Sequence, residues 1–206
     1  MTISALASRT VAALAFVAGA GIAAGLALAG FGPGARAQTD LSWGPEWTEN
    51  GELVLPLDYH RWVFLGSPLT PHALNGGNAP FPEYHNVYVQ PEAYRAYRIT
   101  GEFPEGTILL KELQLTRPAT NDDGSSVEVS GRGFFPAALN GIDISVKDGK
   151  RFKDTNGWGF FNFGHHAPPY AKSATALPAD ACANCHIANA DDMVFSKFYK
   201  PILDAD

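Results

Sequence analysis

Cys182-Ala183-Asn184-Cys185-His186 sets two thiols three positions apart with an imidazole directly after them. This is the spacing that attaches haem c covalently. Two sulfurs on one turn of chain reach the two vinyl groups of the macrocycle, and the adjacent His186 then comes under the iron as its proximal ligand. The chain has no other cysteine among its 206 residues. A redox dithiol or half of a zinc site would use the same residue types. Zinc, however, needs further soft ligands at short spacing, and a thioredoxin-like pair follows a strand in a βαβ unit; neither context surrounds residues 182–186.

The second axial position decides whether such an iron carries electrons or binds something. Met193 is the one methionine besides Met1 and lies too near His186 in sequence to reach the opposite haem face. A His/Met carrier is therefore disfavoured. His60, His72, His85, His165 and His166 are the remaining candidates for a second ligand. An open distal position is preferred over a bis-histidine carrier.

Lys111 is the other residue whose position asks for chemistry. Gly106 opens a run over 107–116 in which Leu109, Lys111, Leu113 and Leu115 recur at period two, so the lysine points to the apolar side of a predicted strand. An unpaired buried charge costs several kcal/mol, on the order of 3 or more. The side chain must therefore find a partner, give up its proton, become a different group, or escape through a bulge or by snorkelling to an edge.

The elements that hold these residues are mostly strands. Residues 85–89 alternate between Pro82 and Pro91, and Pro91 then starts a helix that Gly101 closes. Asn121-Asp122-Asp123-Gly124 is a turn, with Val127-Glu128-Val129 predicted to return beside 107–116 as a hairpin. Ile142, Ile144 and Val146 alternate with Asp143, Ser145 and Lys147, which predicts a strand with one wet face. Residues 158–163 give a further strand, 53–65 a short helix or strand, and the Pro- and Gly-rich stretch 66–82 a loop. From Ala171 to Tyr199 the pattern reads as helical, ending before Pro201. The expected fold is mainly β (α+β): an antiparallel sheet of about five strands with short helices and a C-terminal haem-binding helical segment.

Residues 1–37 carry Arg9 and Arg36, no acid, and a long apolar run ending in Ala35-Arg36-Ala37. That is the pattern of an export signal cleaved after Ala37, preferred over a retained membrane anchor. Residues 38–206 are then a single periplasmic domain. The full chain has 15 basic and 21 acidic residues, a net charge of −6. Loss of Arg9 and Arg36 makes the domain more acidic still, which argues against a nucleic-acid partner.

Gly106-Thr107-Ile108-Leu109-Leu110-Lys111-Glu112, Phe81-Pro82-Glu83-Tyr84-His85-Asn86-Val87-Tyr88 and the stretch from Cys182 to Tyr199 together resemble the cytochrome P-460 family. The resemblance covers most of residues 38–206. It implies a lysine nitrogen bonded to a haem meso carbon, here Lys111, and oxidation of hydroxylamine or a related small nitrogenous substrate at an open, five-coordinate iron. It also implies a homodimer. A soluble electron-acceptor cytochrome is the further partner expected, and the acidic charge is compatible with a basic redox partner. The similar cytochrome c′-beta group lacks the lysine bond, caps the iron with apolar side chains and binds nitric oxide or carbon monoxide without turnover. Phe134-Phe135-Pro136 is the candidate for such a cap. A small electron-transfer cytochrome is the third alternative. Arg61 and Arg132 are candidates to pair with haem propionates. Glu83, Asp143 and Asp148 are read as solvated, Glu112 as facing away from Lys111, and His165-His166 as a surface loop.

Overall fold

The computed structural model describes residues 43–70 and 83–204. The expected export signal at 1–37, its cleavage site, most of the 66–82 loop and His72 lie outside the described residues. Among those described, no helix is long and apolar enough to cross a membrane.

Five antiparallel strands form the main sheet: β2 (Val63–Gly66), β3 (Glu83–Val89), β4 (Ile108–Thr116), β7 (Pro136–Lys147) and β8 (Trp158–Asn162), in that spatial order. The fold is thus mainly β with a few short helices, as expected. Helix α1 (Pro91–Thr100) links β3 to β4. Pro91 sits in its first turn, where no amide is needed, and Gly101 ends it at φ 75°, a left-handed conformation that glycine adopts without a Cβ penalty. Two small two-stranded sheets accompany the main one. The first pairs β1 (Leu53–Val54) with β9 (Ser173–Ala174), and the second pairs β5 (Ser126–Glu128) with β6 (Gly131–Gly133).

Val127-Glu128-Val129 does not return beside β4, as its alternation had suggested. It pairs locally with 131–133, and the neighbour of β4 is β7. The physical reason is burial. Ile142, Ile144 and Val146 of β7 are at most 2% exposed, whereas Val127 and Val129 stand in solvent and have nothing to gain from the sheet.

Both faces of the sheet are covered. Ile108, Leu110, Ile142, Ile144, Val146 and Phe161 pack under the β1–β9 pair, with Trp47 against Phe152 and Phe161 and the Arg151 guanidinium 4.1 Å from the Trp47 ring centre. The opposite face, carrying Val87, Val89, Leu109, Trp158 and Phe160, packs against Ala183, Met193, Val194, Tyr199 and Ile202 of the C-terminal segment. That segment is less helical than its pattern predicted. Its helices are α2 (Ala183–Asn189) and α3 (Lys200–Leu203), with Pro201 inside the first turn of α3 and not beyond the helix end. Asp192 and Met193 take left-handed φ values of 43° and 63° and break the helix between them.

Gly141 of β7 shows how tightly the sheet is closed at one edge. A Cβ there would lie 2.8 Å from the Gly164 carbonyl oxygen and 3.0 Å from Leu113 Cδ1. Gly141→Ala is expected to cost about 1–3 kcal/mol by overpacking, measured as a fall in the urea midpoint with an unchanged slope.

Candidate functional site

A cavity of about 420 Å³ lies between the sheet and the C-terminal segment. The pairing of strands dictates its sheet wall. Val87 is opposite Lys111, Lys111 opposite Asp143, Leu109 opposite Ser145, and Ser145 opposite Phe160, so all share one face. Leu177, Cys182, His186, Val194 and Phe195 line the other side.

His186 is oriented by backbone. Its Nδ1 lies 2.6 Å from the Met193 carbonyl oxygen, which can only accept, so Nδ1 carries the hydrogen and Nε2 keeps the lone pair a metal requires. Its ring rests between Phe160 and Phe195, at 4.6 and 4.8 Å between centroids. Burial lowers the affinity of this imidazole for a proton, and the Lys111 charge lowers it further, against the hydrogen bond to Met193, which raises it. The carbonyl reaches His186 because of the left-handed pair at 192–193. Such residues cost about 1–3 kcal/mol each. The cost is offset by burial of the Met193 side chain and by Asp192, which accepts from Lys147 Nζ at 2.8 Å and Trp158 Nε1 at 3.4 Å. Met193 thus acts through its main chain, and its sulfur lies 3.9 Å from Asn156 Nδ2.

Cys182 precedes the first residue of α2 and lines the cavity, while Cys185 lies on the exposed side of the same turn. Burial pushes the Cys182 thiol up, with Asp143 adding to the shift and Lys111 opposing it. That is the reverse of an activated redox thiol, which is held as thiolate at neutral pH. Among the described residues, no group of three or more His, Cys, Asp or Glu side chains is arranged to hold a metal ion. The cavity offers an iron the imidazole nitrogen of His186, whose ring the Met193 carbonyl already orients.

Lys111 is about a third exposed and points into the cavity, its Nζ 3.0 Å from Asp143 Oδ2. The predicted inward lysine has therefore found a carboxylate. Asp143, read from the sequence as solvated, stands on the cavity wall, and Asn162 Nδ2 holds its other oxygen at 2.7 Å. The Lys111 charge acts on His85, Cys182 and His186 alike.

His85 completes the polar edge of the sheet wall. Burial lowers its pKa to about 4, helped by Lys111 and His165 and opposed by Asp143. Between the ordinary value of 6.5 and about 4 the unfolded chain binds more protons than the folded one, so stability falls as pH drops through that window. Above it both states are neutral there. Urea unfolding of His85→Phe between pH 7 and 4 is expected to give a flatter dependence than the parent.

Other candidates lie elsewhere. Arg132 is committed to Asp123 and Ser125 in the β5–β6 hairpin, and Arg61 lines a hollow beside Trp62 and Gln90. Neither is at the cavity. Phe134 and Phe135 do not line it, and the phenylalanines and tyrosine that do are Phe160, Phe161, Phe195, Phe198 and Tyr199. Glu112 faces away from Lys111, as read, and accepts from Tyr59 Oη at 2.6 Å, His60 Nε2 at 2.9 Å and Asn86 Nδ2 at 3.1 Å. Glu83 is fully buried, not solvated, and takes Asn140 Nδ2 at 2.8 Å and His165 Nε2 at 3.1 Å. His166 is exposed on the predicted loop.

Residues 56–196 match the family model for cytochrome P460, which is more than half of the chain. The chain belongs to the cytochrome P460 family. No curated protein matches it. Membership makes this a haem protein. The residues present fit that cofactor: an apolar cavity, an imidazole with its outer nitrogen already bonded, and a CxxCH thiol at the rim.

Proposed function

We propose that this cytochrome P460 protein is an exported, periplasmic c-type cytochrome that oxidises hydroxylamine or a related small nitrogen compound at an open haem iron. Cys182 and Cys185 would hold the haem by thioethers, His186 would ligate the iron, and Lys111 would be joined to the macrocycle through Nζ. The observation that carries this reading is the convergence of Lys111, Cys182 and His186 on one cavity, with the Nδ1 hydrogen of His186 already spent on Met193.

When bound, the haem supplies an iron position that takes a nitrogen ligand and accepts its electrons. The chain supplies the rest. Apolar Val87, Leu109 and Phe160 line the cavity wall and leave little for water to bond, and His186 would ligate the iron. The carboxylate of Asp143 is placed to take a proton from Lys111 Nζ. Lys111 would hold the macrocycle through Nζ at the expense of one N–H and one C–H bond, and the two protons and two electrons released would need a two-electron oxidant of the peroxide class, reduced to water. A lysine so bonded no longer carries the full ammonium charge. Substrate electrons would pass to a soluble electron-acceptor cytochrome, and the resemblance also supports a homodimer.

The optical spectrum of the reduced holoprotein tests the function. A red-shifted ferrous Soret band is expected. An ordinary high-spin spectrum would instead indicate a gas-binding protein without the lysine bond, and a sharp low-spin spectrum an electron carrier. Tryptic mapping gives the covalent test: haem peptides that never include Lys111 would refute the bond.

A further inference from the structure

His85 enters the cavity from β3, whereas His186 enters from α2. Its Nε2 is buried and has no hydrogen-bond partner among the described residues. Leaving a buried polar atom without a partner is costly, and native structures keep few such atoms. Its polar neighbours are committed elsewhere. On β4 and β7, Lys111 and Asp143 lie 3.0 Å from each other, Asn162 holds the other oxygen of Asp143, and neither Lys111 nor Asp143 hydrogen-bonds His85 Nε2. Glu83, on the same strand, is held by Asn140 and by His165 from the loop after β8. The partner missing from Nε2 is one that a molecule in the cavity can provide.

We propose that His85 is the distal residue of this site, its Nε2 accepting a hydrogen bond from a small ligand that carries an N–H or O–H group. This rests on the reading that the cavity seats a haem ligated by His186. Such a contact favours ligands like hydroxylamine over carbon monoxide, which has no hydrogen to give. Burial supports the role, because it keeps the imidazole neutral well below pH 7 and so preserves a ring lone pair. The side chain would act on the ligand and would not itself ligate the iron.

The test uses haem-loaded wild type with His85→Leu, His85→Phe and His85→Gln. Ferric protein is titrated anaerobically with hydroxylamine and ferrous protein with carbon monoxide, both followed by optical spectrum. Leucine and phenylalanine are expected to weaken hydroxylamine about tenfold, the worth of one hydrogen bond, and to leave carbon monoxide within about twofold. Glutamine, which keeps a polar acceptor, is expected to fall between them and wild type. The two apolar variants are made in parallel, so that if one fails to load haem the other decides. Unchanged hydroxylamine affinity would overturn the proposal, as would equal losses for both ligands, which mean a steric role. A low-spin wild-type spectrum that turns high-spin in His85→Leu would overturn it too, by making His85 an iron ligand. Wild type that carries no haem would end the underlying reading itself, a result distinct from all of these.

Discussion

Cys182→Ala combined with Cys185→Ala is expected to abolish denaturation-resistant haem. After extraction with acidified organic solvent, wild type should keep its haem colour in the protein fraction and the double variant should keep none. The effect is all or nothing because a thioether survives unfolding, whereas a haem held by His186 and packing alone leaves when the cavity opens. The polypeptide is expected to fold nearly as well as the parent without haem, since Cys185 is exposed and Cys182 only half-buried. A double variant that retained non-extractable haem would assign the attachment to another side chain.

Lys111→Leu should have the next largest effect. Leucine suits a face shared with Leu109 and Leu113, and Asp143 keeps Asn162 as a partner, so the loss of the partly exposed ion pair is expected to cost only about 1 kcal/mol or less. The spectrum is where the change falls. With its thioethers intact the variant is expected to load haem, to lose the red shift of the ferrous Soret band and to oxidise hydroxylamine below detection. A variant whose reduced spectrum matched wild type would remove Lys111 from the site chemistry.

What was legible in the sequence was whatever local spacing controls. Residues 182–186 stand out in sequence because covalent haem attachment would need that order of two thiols and an imidazole, and the fold brings Cys182 and His186 to one cavity. Leu109, Lys111 and Leu113 were readable because a strand repeats every two residues, which gave the sheet and the inward lysine. The same rule misplaced Asp143. Alternation with Ile142 and Ile144 says only that Asp143 lies on the other face, and this sheet is covered on both, so the polar face opens to the cavity and not to bulk water. Glu83 was missed for the same reason, since its partners Asn140 and His165 come from distant segments.

Other features left no local trace. The support for His186 is a carbonyl oxygen, which any residue at 193 would carry, delivered by left-handed backbone at Asp192 and Met193 that no glycine announced. Phe134-Phe135 looked like a cap because two aromatics stand together, yet the aromatic wall comes from Phe160 of β8 and from Phe195 and Phe198 of one turn in the C-terminal segment. The unpartnered state of His85 likewise belongs to the assembled sheet and not to its own neighbours in sequence.

Two cysteine sulfurs are proposed to tie a haem beside His186. Electrospray mass of the denatured protein, expressed in a host that matures c-type cytochromes, tests it most directly. The predicted mass is that of the processed polypeptide plus one haem, and the mass of the polypeptide alone would contradict it.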